Sequence, residues 1–168
     1  AKLVITVGQP EPFSGESLVC VGAFTTYSTL STHSVNWTLK DSNGAVVDSS
    51  ATATNTYNYT FSTVGDFTLS VSGPNICANQ VRNITVQPVL TAPIFDTPET
   101  IICPNVPYEF KILDPEPNSE YEWEIVNGNF IGNATGSEVN VTFLGDGSIK
   151  VRRIQLSPEG CSSPFTTT

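Results

Sequence analysis

Apolar side chains recur at every second position in stretch after stretch of this chain: Leu3-Ile5-Val7, Val35-Trp37-Leu39, Tyr57-Tyr59-Phe61, Phe67-Leu69-Val71, Ile84-Val86, Tyr121-Trp123-Ile125, Val139-Val141-Phe143 and Ile149-Val151. A period of two sets one face of each stretch on a core and the other in water, as in a half-buried β-strand. No segment carries a convincing apolar period of 3.6 residues, so helix is expected to be scarce. Asp41-Ser-Asn-Gly44 and Asn127-Gly128 each follow a Trp-bearing strand and have the chemistry of a hairpin turn. Short strands at this spacing close as two antiparallel sheets packed face to face. Trp37, Tyr59, Phe61, Trp123, Val141 and Phe143 are the expected core.

The pattern is written twice. Glu16-Ser-Leu-Val-Cys20 returns as Glu99-Thr-Ile-Ile-Cys103, Trp37 as Trp123, and Cys77 as Cys161. Tyr57-Asn-Tyr-Thr-Phe61 and Gly65-Asp-Phe-Thr-Leu-Ser-Val71 return as Val139-Asn-Val-Thr-Phe143 and Gly147-Ser-Ile-Lys-Val151. A period of about 84 residues in a 168-residue chain means two tandem copies of one domain. The expected division is a first domain over 9–88, a Pro-rich linker over 89–98 that holds the copies apart, and a second domain over 99–168. Leu3-Val-Ile-Thr-Val7 resembles Arg82-Asn-Ile-Thr-Val86, so residues 1–8 are either the last strand of a preceding copy or the opening strand of the first. The second copy stops at Phe165-Thr-Thr-Thr168, where its last strand is expected to be incomplete.

A domain of this size buries only a modest core and gains from a covalent staple. The four cysteines fall two per copy, and the repeat favours Cys20 with Cys77 and Cys103 with Cys161 among the three possible connectivities. Each such bridge closes a loop worth roughly 4 kcal/mol by chain entropy. Persistent disulfides point to an oxidising compartment outside the cytosol.

The order Cys20, Trp37, Cys77 resembles the immunoglobulin pattern, but Cys77 lies beyond Ser72-Gly-Pro-Asn75 rather than inside a strand. Trp37, the aromatic strand Tyr57-Asn-Tyr-Thr-Phe61 and the Gly65-led strand through Val71 are more similar to PKD-type (polycystic-kidney-disease) Ig-like repeats. The early and late cysteines of each copy, Cys20-Val-Gly22 with Cys77 and Cys103 with Glu159-Gly-Cys161, resemble the variant found in large secreted adhesins of gliding bacteria exported by the type IX route. The resemblance implies an all-β chain of two tandem Ig-like/PKD-like antiparallel β-sandwich domains, each with one intradomain disulfide. Neither copy carries the Trp-Asp-Phe-Gly-Asp-Gly signature of the family, since they read Trp37-Thr-Leu-Lys-Asp-Ser-Asn-Gly44 and Trp123-Glu-Ile-Val-Asn-Gly128.

Composition narrows the function. The formal net charge of −9 disfavours nucleic acid and anionic membrane surfaces, both of which need Lys and Arg. Charged residues make up only 14% and Ser plus Thr number 38, so the solvent faces carry hydroxyls. Apolar runs are too short for a membrane-spanning helix. The chain begins without Met or a signal peptide, as expected of a mature or excerpted piece. One histidine, His33, and no nucleophile-elbow motif leave catalysis without a foundation. Asp41, Ser42, Asn43, Asp66, Asp114, Glu116 and Asp146 offer hard oxygens of the kind Ca²⁺ takes, without EF-hand spacing, and turn chemistry accounts for them equally well. No other cofactor is expected. Sequons at Asn36, Asn58, Asn83, Asn133 and Asn140 barely exceed chance, and Asn58 and Asn140 should face solvent as polar strand residues.

These features point to a non-catalytic structural and adhesive module of a long extracellular, cell-surface protein. Its partners are expected to be neighbouring repeats, other copies of itself, or surface glycans met by aromatics in Ala23-Phe-Thr-Thr-Tyr-Ser-Thr29 and Asn127-Gly-Asn-Phe-Ile131. Two alternatives are a filament subunit joined by strand complementation and a carbohydrate-binding accessory module of a secreted hydrolase.

Overall fold

The structure, a computed structural model, describes residues 13–31, 34–50, 55–73, 76, 80–96, 101–155 and 160–167. The described residues form strands, turns and irregular segments, with no helix. The chain makes two compact units, Ala1–Pro88 and Val89–Thr168. The expected strand at residues 1–8 lies outside the described residues.

Unit 1 holds β1 (Leu18–Cys20), β2 (Phe24–Ser28), β3 (Asn36–Asp41), β4 (Val46–Ser50), β5 (Thr56–Thr60), β6 (Gly65–Ser72) and β7 (Gln80–Gln87). Five strands order as β1-β7-β6-β3-β4, and β2 with β5 makes a separate two-stranded sheet. All these pairings are antiparallel except β1 with β7. The alternation does what it predicts: β6 buries Phe67, Leu69 and Val71, and β3 buries Trp37 and Leu39. Trp37 is the centre of the core, edge-on to Phe13 at 5.3 Å and stacked on Tyr57 at 5.8 Å. Phe61 is fully buried, and Tyr59 packs half-buried against the same cluster. The turn from Asp41 to Gly44 joins β3 to β4 as expected, with Asp41 Oδ1 accepting the amides of Asn43 and Ala45, both at 2.9 Å. The stretch Phe24–Ser28 is strand rather than loop: Tyr27 is buried in the core, whereas Phe24 is exposed.

Unit 2 holds β8 (Phe95–Asp96), β9 (Tyr108–Ile112), β10 (Ser119–Ile131), β11 (Glu138–Gln155) and β12 (Thr166–Thr167). The order is β10-β11-β9-β8, with β12 also on β11. The long β10–β11 hairpin is broken by a bulge between Val126 and Gly128. Below it, Glu138–Val141 of β11 pair with β9; above it, Lys150 and Val151 pair with β12. Val139, Val141 and Phe143 from one half of β11 and Ile149 and Val151 from the other share a core with Tyr121 and Trp123 of β10. The hairpin therefore bends over its own core. Asn127-Gly128, expected as a turn, is that bulge: Asn127 adopts the left-handed conformation (φ 56°) and its amide Nδ2 donates to Asp146 O at 2.7 Å, so β10 continues to Ile131. Within the expected linker, Phe95 is a buried core residue edge-on to Trp123 at 5.5 Å, because β8 pairs with β9 and belongs to unit 2.

The bulge leaves no room beside Gly147. A methyl there would collide with the Val126 carbonyl and the Phe143 ring. Gly147→Ala is expected to destabilise unit 2 by about 1–3 kcal/mol, the range for forced overpacking. Urea denaturation of the full chain should show the transition that exposes Trp123 moving to lower urea; an unmoved transition would show that the bulge accommodates a side chain.

Candidate functional site

The cysteines are placed differently from expectation. Cys103 carries a free, exposed thiol, so the expected Cys103–Cys161 bridge is not formed. Cys161 is buried and disulfide-bonded, and the half-buried Cys20 is disulfide-bonded too. Backbone tethers explain why Cys103 and Cys161 do not meet. Asn105 N–H donates to Phe143 O at 2.8 Å, opposite Gly128, whereas Ser163 N–H donates to Arg153 O at 2.8 Å, opposite Tyr121. Those stations lie on the two sides of the bulge, so each flanking segment follows a different half of the hairpin. Cys77, and with it the expected Cys20–Cys77 bridge, lies outside the described residues.

The expected metal oxygens do not gather, and among the described residues no group of three or more His, Cys, Asp or Glu side chains could hold an ion. Asp41 is spent on its own turn, Asp66 Oδ1 accepts the Thr85 hydroxyl at 2.8 Å, and Glu116 faces Arg153 at 3.4 Å. His33 lies outside the described residues. The aromatics expected to reach a ligand are mostly turned inward: Tyr27 is buried and Phe130 packs on the unit 2 core, leaving Phe24 exposed. All five sequon asparagines are exposed, and Asn58 Oδ1 accepts the Thr26 hydroxyl at 2.8 Å.

Chemistry concentrates instead on the seam between the incoming segment of unit 1 and its last strand. Leu18, Val19 and Cys20 of β1 run parallel to Thr85, Val86 and Gln87 of β7. Thr85 N–H donates to Ser17 O at 2.8 Å, and Val21 N–H donates to Gln87 O at 2.9 Å. Upstream, Arg82 Nη1 donates to Gly15 O and Nη2 to Phe13 O, both at 2.6 Å, while its guanidinium lies 5.2 Å from the Phe13 ring centroid. Gln80 Oε1 accepts the Phe13 amide at 3.0 Å. Gly15, at φ 140°, makes this close approach possible, since any side chain there would run into the Tyr27 ring. Two charge-assisted bonds from one planar guanidinium are strong and directional. Residues 13–21 are thus fastened along their length to β7. Periodicity could not show this, because Arg82 reads only as a polar strand residue.

Unit 2 ties its own ends more lightly, with the Thr166 hydroxyl donating to Pro93 O at 2.6 Å. Its outer face carries Lys150 paired with Glu124 at 2.7 Å and Arg152 with Glu122 at 2.6 Å. The two cations also cover the Phe165 ring, at 4.4 and 4.8 Å from its centroid.

Two buried tyrosines hold their protons tightly. Burial raises Tyr57 well above the usual phenol range, reinforced by its hydroxyl donating to Asp48 Oδ2 at 2.7 Å. Burial likewise raises Tyr27. A folded pKa above the unfolded one means stability that is complete below about pH 10 and lost above it, by about 1.4 kcal/mol per pH unit for each group. Unit 1 is therefore expected to weaken in alkali, and Tyr57→Phe should make that pH dependence shallower. Urea midpoints measured through this range check it; a Tyr57→Phe slope equal to that of the parent would rule it out.

No family profile and no curated protein matches the chain. Solved structures similar to it include the fibronectin(III)-like modules of CbhA from Clostridium thermocellum, with a TM-score of 0.48 and 14% identity over 92% of this chain and 90% of that one. A C-terminal 282-residue fragment of intimin, solved in complex with the intimin-binding domain of the translocated intimin receptor, gives 0.46 and 12% over 96% of this chain and 64% of that one. The human OSCAR ligand-binding domain gives 0.34 and 13% over 94% and 96%.

Proposed function

We propose that the chain is a non-catalytic structural module of a long extracellular surface protein, one that keeps its fold under tension. The parallel β1–β7 seam carries this reading. Within unit 1, Leu18–Cys20 lie beside β7, whose last residue, Gln87, is next to the boundary with unit 2. Pulling on the two sides of the unit drags parallel neighbours in opposite directions, so their hydrogen bonds are loaded together in shear rather than opened one at a time. Arg82 adds two charge-assisted bonds across the same line.

The disulfide-bonded Cys20 and Cys161 fit an oxidising location. The repeated Trp strand, aromatic strand and Gly-led strand support a PKD-type, Ig-like repeat, and the early and late cysteines support the adhesins of the type IX route as its setting. Adhesion is assigned to exposed faces: the hydroxyl- and amide-bearing side of unit 1, with Asn36, Thr38, Ser70 and Asn83, and the charged side of unit 2.

Single-molecule pulling of the full chain tests the mechanical reading. Arg82→Met, which keeps the stem and removes the fork, is expected to lower the unfolding force of unit 1 while leaving that of unit 2 unchanged. Val19→Pro, which removes a ladder amide at the centre of the seam, should lower it further. Equal forces for parent and both variants would show that the seam does not bear load.

A further inference from the structure

The chain changes role at one residue. Residues 13–19 are held to β7 by non-covalent contacts: the parallel ladder of β1, the Arg82 fork on Phe13 O and Gly15 O, and Gln80 on the Phe13 amide. Cys20 ends β1 opposite Gln87, and it is disulfide-bonded. Directly after it, Ala23 N–H donates to Cys20 O at 3.0 Å to close a turn, Gly22 N–H donates to Phe61 O at 2.8 Å, and β2 begins at Phe24. The covalent link therefore sits at the junction between the seam and the strands that build the core.

Sequence order fixes what the link shields. No cysteine stands between positions 20 and 77, so the loop closed at Cys20 encloses at least residues 21–76. Strands β2 to β6 all lie within that span, and with them the buried side chains of Trp37, Tyr57, Phe61 and Leu69. Tension that travels along the chain from the N-terminal side passes through residues 13–19 and then reaches Cys20. From there the shortest covalent path runs through the S–S bond. The enclosed residues then carry no load, and forces that break hydrogen bonds leave a covalent bond whole.

We propose that the Cys20 disulfide is a covalent stop at the end of the seam, so that tension opens the seam but does not unravel the strands behind it until the bond is reduced. The inference rests on the mechanical reading of the seam and adds its regulation. Reduction by a dithiol is a thiol–disulfide exchange. One thiolate of the dithiol attacks a sulfur of the protein disulfide, the S–S bond breaks, and the other protein sulfur leaves as a thiolate. The second thiol of the reductant then displaces the first protein sulfur, and the reductant departs as a cyclic disulfide with two protein thiols formed. Cys20 is half-buried beside β7 while the seam is closed, so opening the seam also bares the bond to the reductant. The unit is short-stretching in oxidising surroundings and long-stretching in reducing ones.

A force clamp on the full chain, held by its two ends, tests this. In oxidising buffer the extension should halt at a plateau short of the full contour length. Dithiothreitol added at the same force should then release a further step of at least ~19 nm, the length of about 56 residues at roughly 3.4 Å each. Cys103→Ser, which removes a free thiol, should leave plateau and step unchanged. Cys20→Ser should reach the longer extension with no plateau and no dithiothreitol. A parent chain that runs to full contour length in oxidising buffer, or dithiothreitol that adds no step, would overturn the proposal. The mechanical reading fails on a different readout: equal opening forces for parent and Arg82→Met would remove the load-bearing role of the seam while leaving the dithiothreitol step in place.

Discussion

The fastening of residues 13–21 to β7 is the contact on which the rest of unit 1 depends. Phe13 reaches the indole of Trp37 only because its backbone is held on both sides, by Gln80 at the amide and by Arg82 at the carbonyl. Trp37 in turn stacks on Tyr57, and Tyr57 on Tyr59. The aromatic row is therefore assembled from strands far apart in sequence, and the guanidinium is the clasp. A small core makes this necessary, since a unit of this size has little buried area to spare.

Unit 2 meets the same requirement by other means. Its hairpin bends at the Asn127 bulge so that both halves of β11 bury side chains in one core, and Phe95 from β8 takes the place beside Trp123 that Phe13 takes beside Trp37. Trp123 also satisfies its indole N–H on Gly136 O at 2.9 Å. The Trp37 indole N–H finds no partner among the described residues. Neither core relies on a bridge between Cys103 and Cys161, which are held near opposite stations of β10.

Alternation made the strands readable because burial acts on every second side chain, and β3, β5, β6 and the two halves of β11 follow it closely. Four things were not readable. Phe24–Ser28 looks like a polar loop because its inward positions include Thr25, a hydroxyl whose donation to Tyr59 O at 2.9 Å lets it be buried. The stretch before residue 99 looks like a linker because it is rich in proline, yet Phe95 is buried in the unit 2 core and β8 pairs with β9. Cysteine spacing repeats while cysteine placement does not, because pairing depends on which strand station each flanking segment bonds to. The Arg82 clasp had no signal at all, since a guanidinium gains its meaning from carbonyls many residues away.

The deepest difference between the copies is one local choice made just after each Trp strand. In unit 1, Asp41 bonds its own turn and Gly44, at φ 82°, reverses the chain, so β4 returns along β3 and stays in that sheet. In unit 2, Asn127 takes up the strain in a single left-handed residue, the strand continues, and Gly128–Ile131 pass on to cover Asn140–Phe143. A tight turn thus keeps the next strand in the sheet of its Trp strand, whereas a bulge lets the Trp strand itself run on into a second stretch of pairing. The few residues following each tryptophan decide which strand its hairpin partner covers, and two copies of one pattern reach different pairings by that choice.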